Sequence, residues 1–116
     1  MSVERISREE LKAKLDGGED MVLVEALGEA HFEEAHLPDA VNIPHDQVDE
    51  LAPRLLPEKG AQIVVYCSNG PCRNSGIASN RLSQLGYEDV RDYHEGKQDW
   101  MEAGLPTESG PVAAGR

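Results

Sequence analysis

Two thiols define the chemistry open to this chain. Cys67 and Cys72, its only cysteines, both stand in the stretch VVYCSNGPCRNSG, residues 64–76, directly after an apolar run. A thiol between a buried strand and a helix N-terminus sits where backbone amides and the helix dipole favour the thiolate. A free thiol pKa near 8.5 falls to about 3.5–7.5 in such positions. The loop that follows, Ser68, Asn69, Gly70, Pro71, Cys72 and Arg73, contains Gly and Pro, which permit a tight turn whose amides form a concave anion nest. Arg73 can add a cation and a bidentate anion clamp. Cys67 is therefore expected to be an accessible nucleophile in an anion-binding cradle. An inert buried cysteine ending a strand is the bland alternative. A zinc site is a weaker one, because the spacing is not a CxxC knuckle and further ligands would have to come from four scattered histidines. No cofactor and no metal are expected.

Placing these thiols requires a strand before them and a helix after. Residues 62–66, QIVVY, read as a fully apolar strand, and residues 74–85 as a helix with Ile77, Ala78, Leu82 and Leu85 inward and Gly86 as terminator. Upstream, Ser7 to Glu10 form a capping box, Leu11 and Leu15 share a helical face, and Gly17 with Gly18 ends that helix. Residues 21–24, MVLV, suit a strand buried on both faces. A short helix lies in residues 28–36, stopped by Pro38, and AVNIP, residues 40–44, reads as another short strand. Asp46 can cap a helix carrying Val48, Leu51 and Leu55, which Pro53 is expected to break or kink. DVRDY, residues 89–93, reads as the last strand, followed by a short helix around Trp100. Strands alternating with helices predict an α/β fold with a mainly parallel sheet.

The 116 residues make one domain, 39% hydrophobic and 28% charged, with so few aromatics that Leu, Val, Ile and Ala must dominate the core. A net charge of −11 argues against nucleic acid and anionic membrane as partners. The acid excess reads as solubility or adaptation to a saline host, or more sharply as complementarity to a basic protein partner. No apolar run approaches the roughly 20 residues of a membrane span. The acid-bearing start lacks a secretory core, so a cytoplasmic protein is expected. Residues 109–116 offer nothing to pack and are expected to form a disordered tail behind a domain of residues 1–108.

Four segments, in order and at matching separations, resemble a rhodanese-homology domain. AHLPDAVNIP, residues 35–44, is similar to that family's GHIPGAINIP, and VVYC matches the strand that delivers its catalytic cysteine. LSQLGYEDV resembles the helix end and next strand, and EGKQDWMEAGLP, residues 95–106, the closing GGxxxWxxAGLP. The resemblance covers about Val3 to Glu108 and implies a five-stranded parallel sheet with helices on both faces. It implies that Cys67 takes a sulfane sulfur as a persulfide from thiosulfate or another persulfide donor. The sulfur would pass to a thiol or cyanide, or to a thioredoxin-like or other sulfur-relay protein.

Three departures bear on the site. The common loop Cys-x-x-Gly-x-Arg is here Cys-Ser-Asn-Gly-Pro-Cys-Arg, similar to a subgroup with Cys-x4-Cys-x2-Ser at Cys67, Cys72 and Ser75. LVEAL stands where many members have LIDVR, so Glu25 replaces the acid and Leu27 removes an arginine. Cys67 to Arg73 also fits the Cys-x5-Arg loop of phosphatases and arsenate reductases, the alternative reaction class, with Glu95 or Asp99 as possible general acid. A non-catalytic persulfide carrier or interaction module is the third reading. Cys72 is either a second thiol that attacks a Cys67 persulfide, releasing sulfide and leaving a disulfide, or a small filler under the loop. His36 reads as a structural hydrogen-bonding residue, and Trp100 with Leu105 as core.

Overall fold

The computed structural model describes residues 3–70 and 72–110. Among these, β1 (Glu4–Arg5), β2 (Met21–Glu25), β3 (Val41–Asn42), β4 (Gln62–Tyr66) and β5 (Asp89–Tyr93) alternate with α1 (Arg8–Asp16), α2 (Glu29–Glu34), α3 (Val48–Leu55), α4 (Asn74–Gln84) and α5 (Gly96–Glu102). The strands form one sheet in the order β1-β5-β4-β2-β3 with every pair parallel. The expected α/β class, its five-stranded parallel sheet and its helices on both faces are thus present. β1 has no counterpart in the hydrophobic pattern, because it is two exposed residues, Glu4 and Arg5, held by pairing with Arg91 and Asp92.

The continuous apolar runs are explained by burial on both faces. Ile63 and Val65 of β4 point with Val24 toward Val48, Ala52, Ala78 and Leu82 of α3 and α4. Val64 and Tyr66 point with Leu23 to the opposite side, where Leu11, Phe32 and Trp100 of α1, α2 and α5 cover them. The capping box of α1 is complete, Ser7 Oγ accepting from Glu10 N–H at 3.1 Å while the Glu10 carboxylate accepts from Ser7 N–H at 3.2 Å.

Three local expectations are corrected. Ile77 is 49% exposed, because Ser75, Ala78, Ser79 and Leu82 face the sheet. Small side chains on that face bring α4 close to β4 and leave no room for the larger Ile77. The N-cap of α3 is Gln47 rather than Asp46, without a side-chain cap bond. Pro53 does not break α3, which ends two residues later; its missing N–H falls on the exposed side of a helix held by Val48 and Ala52. At the far end, Glu108 exchanges backbone hydrogen bonds with His36, at 2.8 and 2.9 Å, and Gly110 N–H donates to Glu33 O. Most of the expected tail, residues 111–116, lies outside the described residues, as does Pro71 of the loop.

Candidate active site

Cys67 follows the last residue of β4, at the carboxyl crest of the sheet, where open α/β sheets bind ligands. The chain then turns and enters α4 at Asn74, with Arg73 as N-cap. Asn69 makes the turn: both its backbone carbonyl, at 3.1 Å, and its side-chain Oδ1, at 3.2 Å, accept from the Cys72 amide. The other wall is α5. Lys97 N–H donates to Cys67 O and Gln98 N–H to Ser68 O, each at 2.8 Å. This close approach requires Gly96, whose φ is +83° and whose added Cβ would lie 2.8 Å from Asn69 N and 2.9 Å from Cys67 O.

The thiol itself differs from expectation. Cys67 is 0% exposed, so its sulfur is not presented to solvent as an accessible nucleophile. Its Sγ has the Ser75 hydroxyl and the Cys72 carbonyl at 3.6 Å and the Asn69 carbonyl at 3.9 Å. Two carbonyls favour a protonated sulfur rather than an anion. Burial pushes the Cys67 thiol above its ordinary range and the facing Cys72 thiol adds to this, while the Ser75 hydroxyl and amide pull the other way. Cys72 behaves oppositely. Burial opposes its ionisation too, but the Cys67 thiol, the Asn74 and Ser68 amides and the Ser68 side chain outweigh that and lower its pKa. The amides expected to favour a Cys67 anion thus act in part on Cys72, which is half-buried. Arg73 is exposed at the helix N-cap.

The counter-ion for Glu25 was not legible in the sequence. Glu25, at the end of β2, is 0% exposed; Lys97 Nζ lies 3.1 Å from Oε2, and the Tyr66 hydroxyl donates to Oε1 at 2.8 Å. Lys97 Nζ also donates to the carbonyls of His31 and Ala35, and the Tyr66 oxygen accepts from Leu37 N–H. Where Leu27 removes the expected arginine, Lys97 reaches in from α5 and joins β2, β4 and α2 to the helix that clamps the loop. A lysine beside core-facing Gly96 and Trp100, matched to an acid in an apolar strand, was the available signal. Burial raises the Glu25 carboxyl pKa, opposed by Lys97 and Tyr66.

Asp92, beneath Gly76 of α4, has a buried Oδ1 without a hydrogen-bond partner among the described residues. His36 packs structurally, its ring stacked on Phe32 at 3.9 Å and its Nδ1 2.8 Å from Phe32 O. Beside the loop runs a groove of about 390 Å³ whose lining includes Ser68, Leu27, His31, Lys97, Gln98 and Met101. Among the described residues no helix is long and apolar enough to cross a membrane.

The model of the rhodanese-like domain matches residues 7–103. The chain belongs to the rhodanese-like domain family. This rhodanese-like chain is 32% identical to a sulfurtransferase of Allochromatium vinosum, over 90% of its own length and 94% of that protein. It is 35% identical to the HTH-type transcriptional regulator Rv0324 of Mycobacterium tuberculosis, over 95% of its length but 47% of the relative, so it spans about half of that protein. Among solved structures it is similar to the rhodanese-like domain of the Alr3790 protein from Anabaena, with a TM-score of 0.79 and 25% identity over 97% of this chain and 83% of that one.

Proposed function

We propose that this domain is a sulfurtransferase that carries a sulfane sulfur as a persulfide on Cys67. The observation that carries this reading is the position of Cys67 at the crest of the central strand of a rhodanese-like sheet, against the first turn of α4. The Cys67 thiolate attacks the outer sulfur of thiosulfate or of a low-molecular-weight persulfide, and sulfite or a thiol leaves. The Ser75 amide and hydroxyl favour the anionic sulfur, and a Cys72 thiolate, its own pKa lowered, takes the Cys67 proton before the attack. A thiolate or cyanide then removes the outer sulfur. A protein acceptor, such as a thioredoxin-like or other relay protein, would approach over the groove beside Ser68 and Met101.

Phosphatase or arsenate reductase chemistry has less support. It needs an arginine fork on the oxyanion and a general acid. Arg73 is exposed, Glu95 is exposed, and Asp99 is engaged by Arg8 at 3.0 Å and by the Tyr93 hydroxyl at 2.7 Å. The burial of Cys67 favours a different second reading, a persulfide carrier that loads once without turnover.

The purified protein is to be assayed in parallel with thiosulfate plus cyanide, glutathione persulfide plus thiol, and an aryl phosphate. Sulfur transfer with at least one donor, over many turnovers, is expected, with negligible phosphate release. Cys67→Ser is expected to abolish transfer while leaving the unfolding free energy within about 1 kcal/mol of wild type. Transfer at the wild-type rate in that variant, or phosphate release that depends on Cys67 without any persulfide, would overturn the reading. A single stoichiometric loading without turnover would support the carrier instead.

A further inference from the structure

We propose that Cys72 is a second catalytic thiol, which converts the Cys67 persulfide into free sulfide and a Cys67–Cys72 disulfide. The domain would then reduce sulfane sulfur as well as transfer it. This rests on the persulfide reading above and adds an intramolecular fate for the sulfur.

The geometry supplies the reasons. Cys67 is closed off from solvent whereas Cys72 is half-buried, so an external acceptor meets Cys72 before it meets the persulfide-bearing sulfur. The Asn69 turn holds Cys72 by two hydrogen bonds to its amide, which fixes the backbone position of the second cysteine relative to the strand end. Cys67 Sγ lies 3.6 Å from the Cys72 carbonyl, so the second cysteine is in contact with the sulfur that would carry the persulfide. The Ser68 and Asn74 amides lower the Cys72 thiol pKa, which favours the thiolate this step needs. A thiol so placed acts intramolecularly, with an effective concentration that a dissolved thiol cannot match.

The chemistry balances without a further oxidant, because the persulfide already holds the oxidising equivalents. The Cys72 thiolate attacks Cys67 Sγ of Cys67–S–SH, the Sγ–S bond breaks with its electron pair on the outer sulfur, and hydrosulfide leaves. A small or protein dithiol then reduces the disulfide by two exchanges and restores both thiols. The sum is a persulfide plus a dithiol giving a thiol, hydrogen sulfide and the oxidised dithiol.

The test uses the full chain, reduced and freed of reductant, mixed with about one equivalent of glutathione persulfide, then quenched with an alkylating agent at successive times. Intact mass and released sulfide are read for wild type, Cys72→Ser and Cys67→Ser. Wild type is expected to lose two hydrogens and release about one equivalent of sulfide. Cys72→Ser is expected to gain one sulfur on Cys67 and to hold it at least about tenfold longer, until an external thiol is added. Equal persulfide lifetimes in wild type and Cys72→Ser, with Cys67 loaded in both, would overturn the role of Cys72 and leave the sulfurtransferase reading standing. A persulfide forming on Cys72 in Cys67→Ser as fast as on Cys67 in Cys72→Ser would reverse the order of the two thiols and overturn the proposal. Absence of any persulfide on Cys67 in Cys72→Ser would bring down the underlying reading and this one with it.

Discussion

At the scale of single residues, the two cysteines divide properties that one catalytic thiol was expected to combine. Position at the strand end belongs to Cys67, whereas exposure and part of the amide environment belong to Cys72. The division is measurable by alkylation. A thiol whose pKa is raised reacts only once the pH has passed its ordinary range, and one whose pKa is lowered reacts before it. With iodoacetamide at graded pH and peptide mapping, Cys72 is expected to modify first, below the ordinary thiol midpoint, and Cys67 only above it. Removing the burial of Cys67 by mild urea is expected to bring its midpoint down toward that of a free thiol. If Cys67 were modified first in the native protein, the division of properties between the two thiols would be wrong.

At the scale of elements, the site depends on α5 as much as on the strand–loop–helix unit that holds the cysteines. Gly96 lets α5 approach the loop so closely that its first amides take the carbonyls of Cys67 and Ser68. Gly96→Ala imposes a left-handed φ on a residue with Cβ, worth about 1–3 kcal/mol, and drives that Cβ into Asn69 N. Sulfur transfer is therefore expected to fall at least about tenfold alongside the loss of stability, since a small misplacement of a reactive group costs this much or more. Unchanged activity would show that the clamp is dispensable. The buried Glu25–Lys97 pair has a pH signature. Lys97→Met leaves Glu25 buried and unpaired, at a cost of about 3–5 kcal/mol near neutral pH. The Glu25 carboxyl pKa, already raised by burial, then rises further, so the folded state keeps a proton that the unfolded chain has lost. Stability must fall as pH rises from the ordinary carboxylate value through the raised one. Urea unfolding at about pH 5 and about pH 8 is expected to show the smaller deficit at the lower pH, and Glu25→Gln in the same chain to recover part of it. A deficit independent of pH would mean that Lys97 acts through packing alone.

At the scale of the molecule, 22 acidic against 11 basic residues give a net charge of −11 on a chain of 116 residues. Ion pairs such as Arg81–Asp49, at 2.6 Å, lie on the surface, where they contribute little. Self-repulsion therefore opposes the compact state, and salt relieves it as the Debye length shrinks from about 30 Å at 0.01 M to about 3 Å at 1 M. The thermal midpoint is expected to rise over that range in sodium chloride. A falling midpoint would show that specific ion pairs outweigh the net charge.

The apolar runs of β2 and β4, the capping box of α1 and the Gly86 stop after α4 were legible in sequence because each is a local rule: a two-faced buried strand, a short-range cap, a residue that tolerates positive φ. The loop between β4 and α4 could be located for the same reason. What lay beyond local rules depended on distant partners. The two-residue β1 exists only through its pairing with β5, Ile77 is outward because α4 packs by its small residues, and Lys97 finds Glu25 across 72 positions of chain. The loop's atoms follow the same logic. A run of six residues can turn its carbonyls or its amides toward a sulfur, and the choice here is made by Asn69, Ser75 and the α5 clamp together. Sequence by itself determined the parallel α/β class, the positions of the four strands other than β1, the position of Cys67 at the end of β4 and the presence of a second thiol in the same loop. Only the tertiary structure decided which sulfur is buried, which faces the amides and which cation answers Glu25, because burial and electrostatic pairing depend on what the rest of the chain packs around each group.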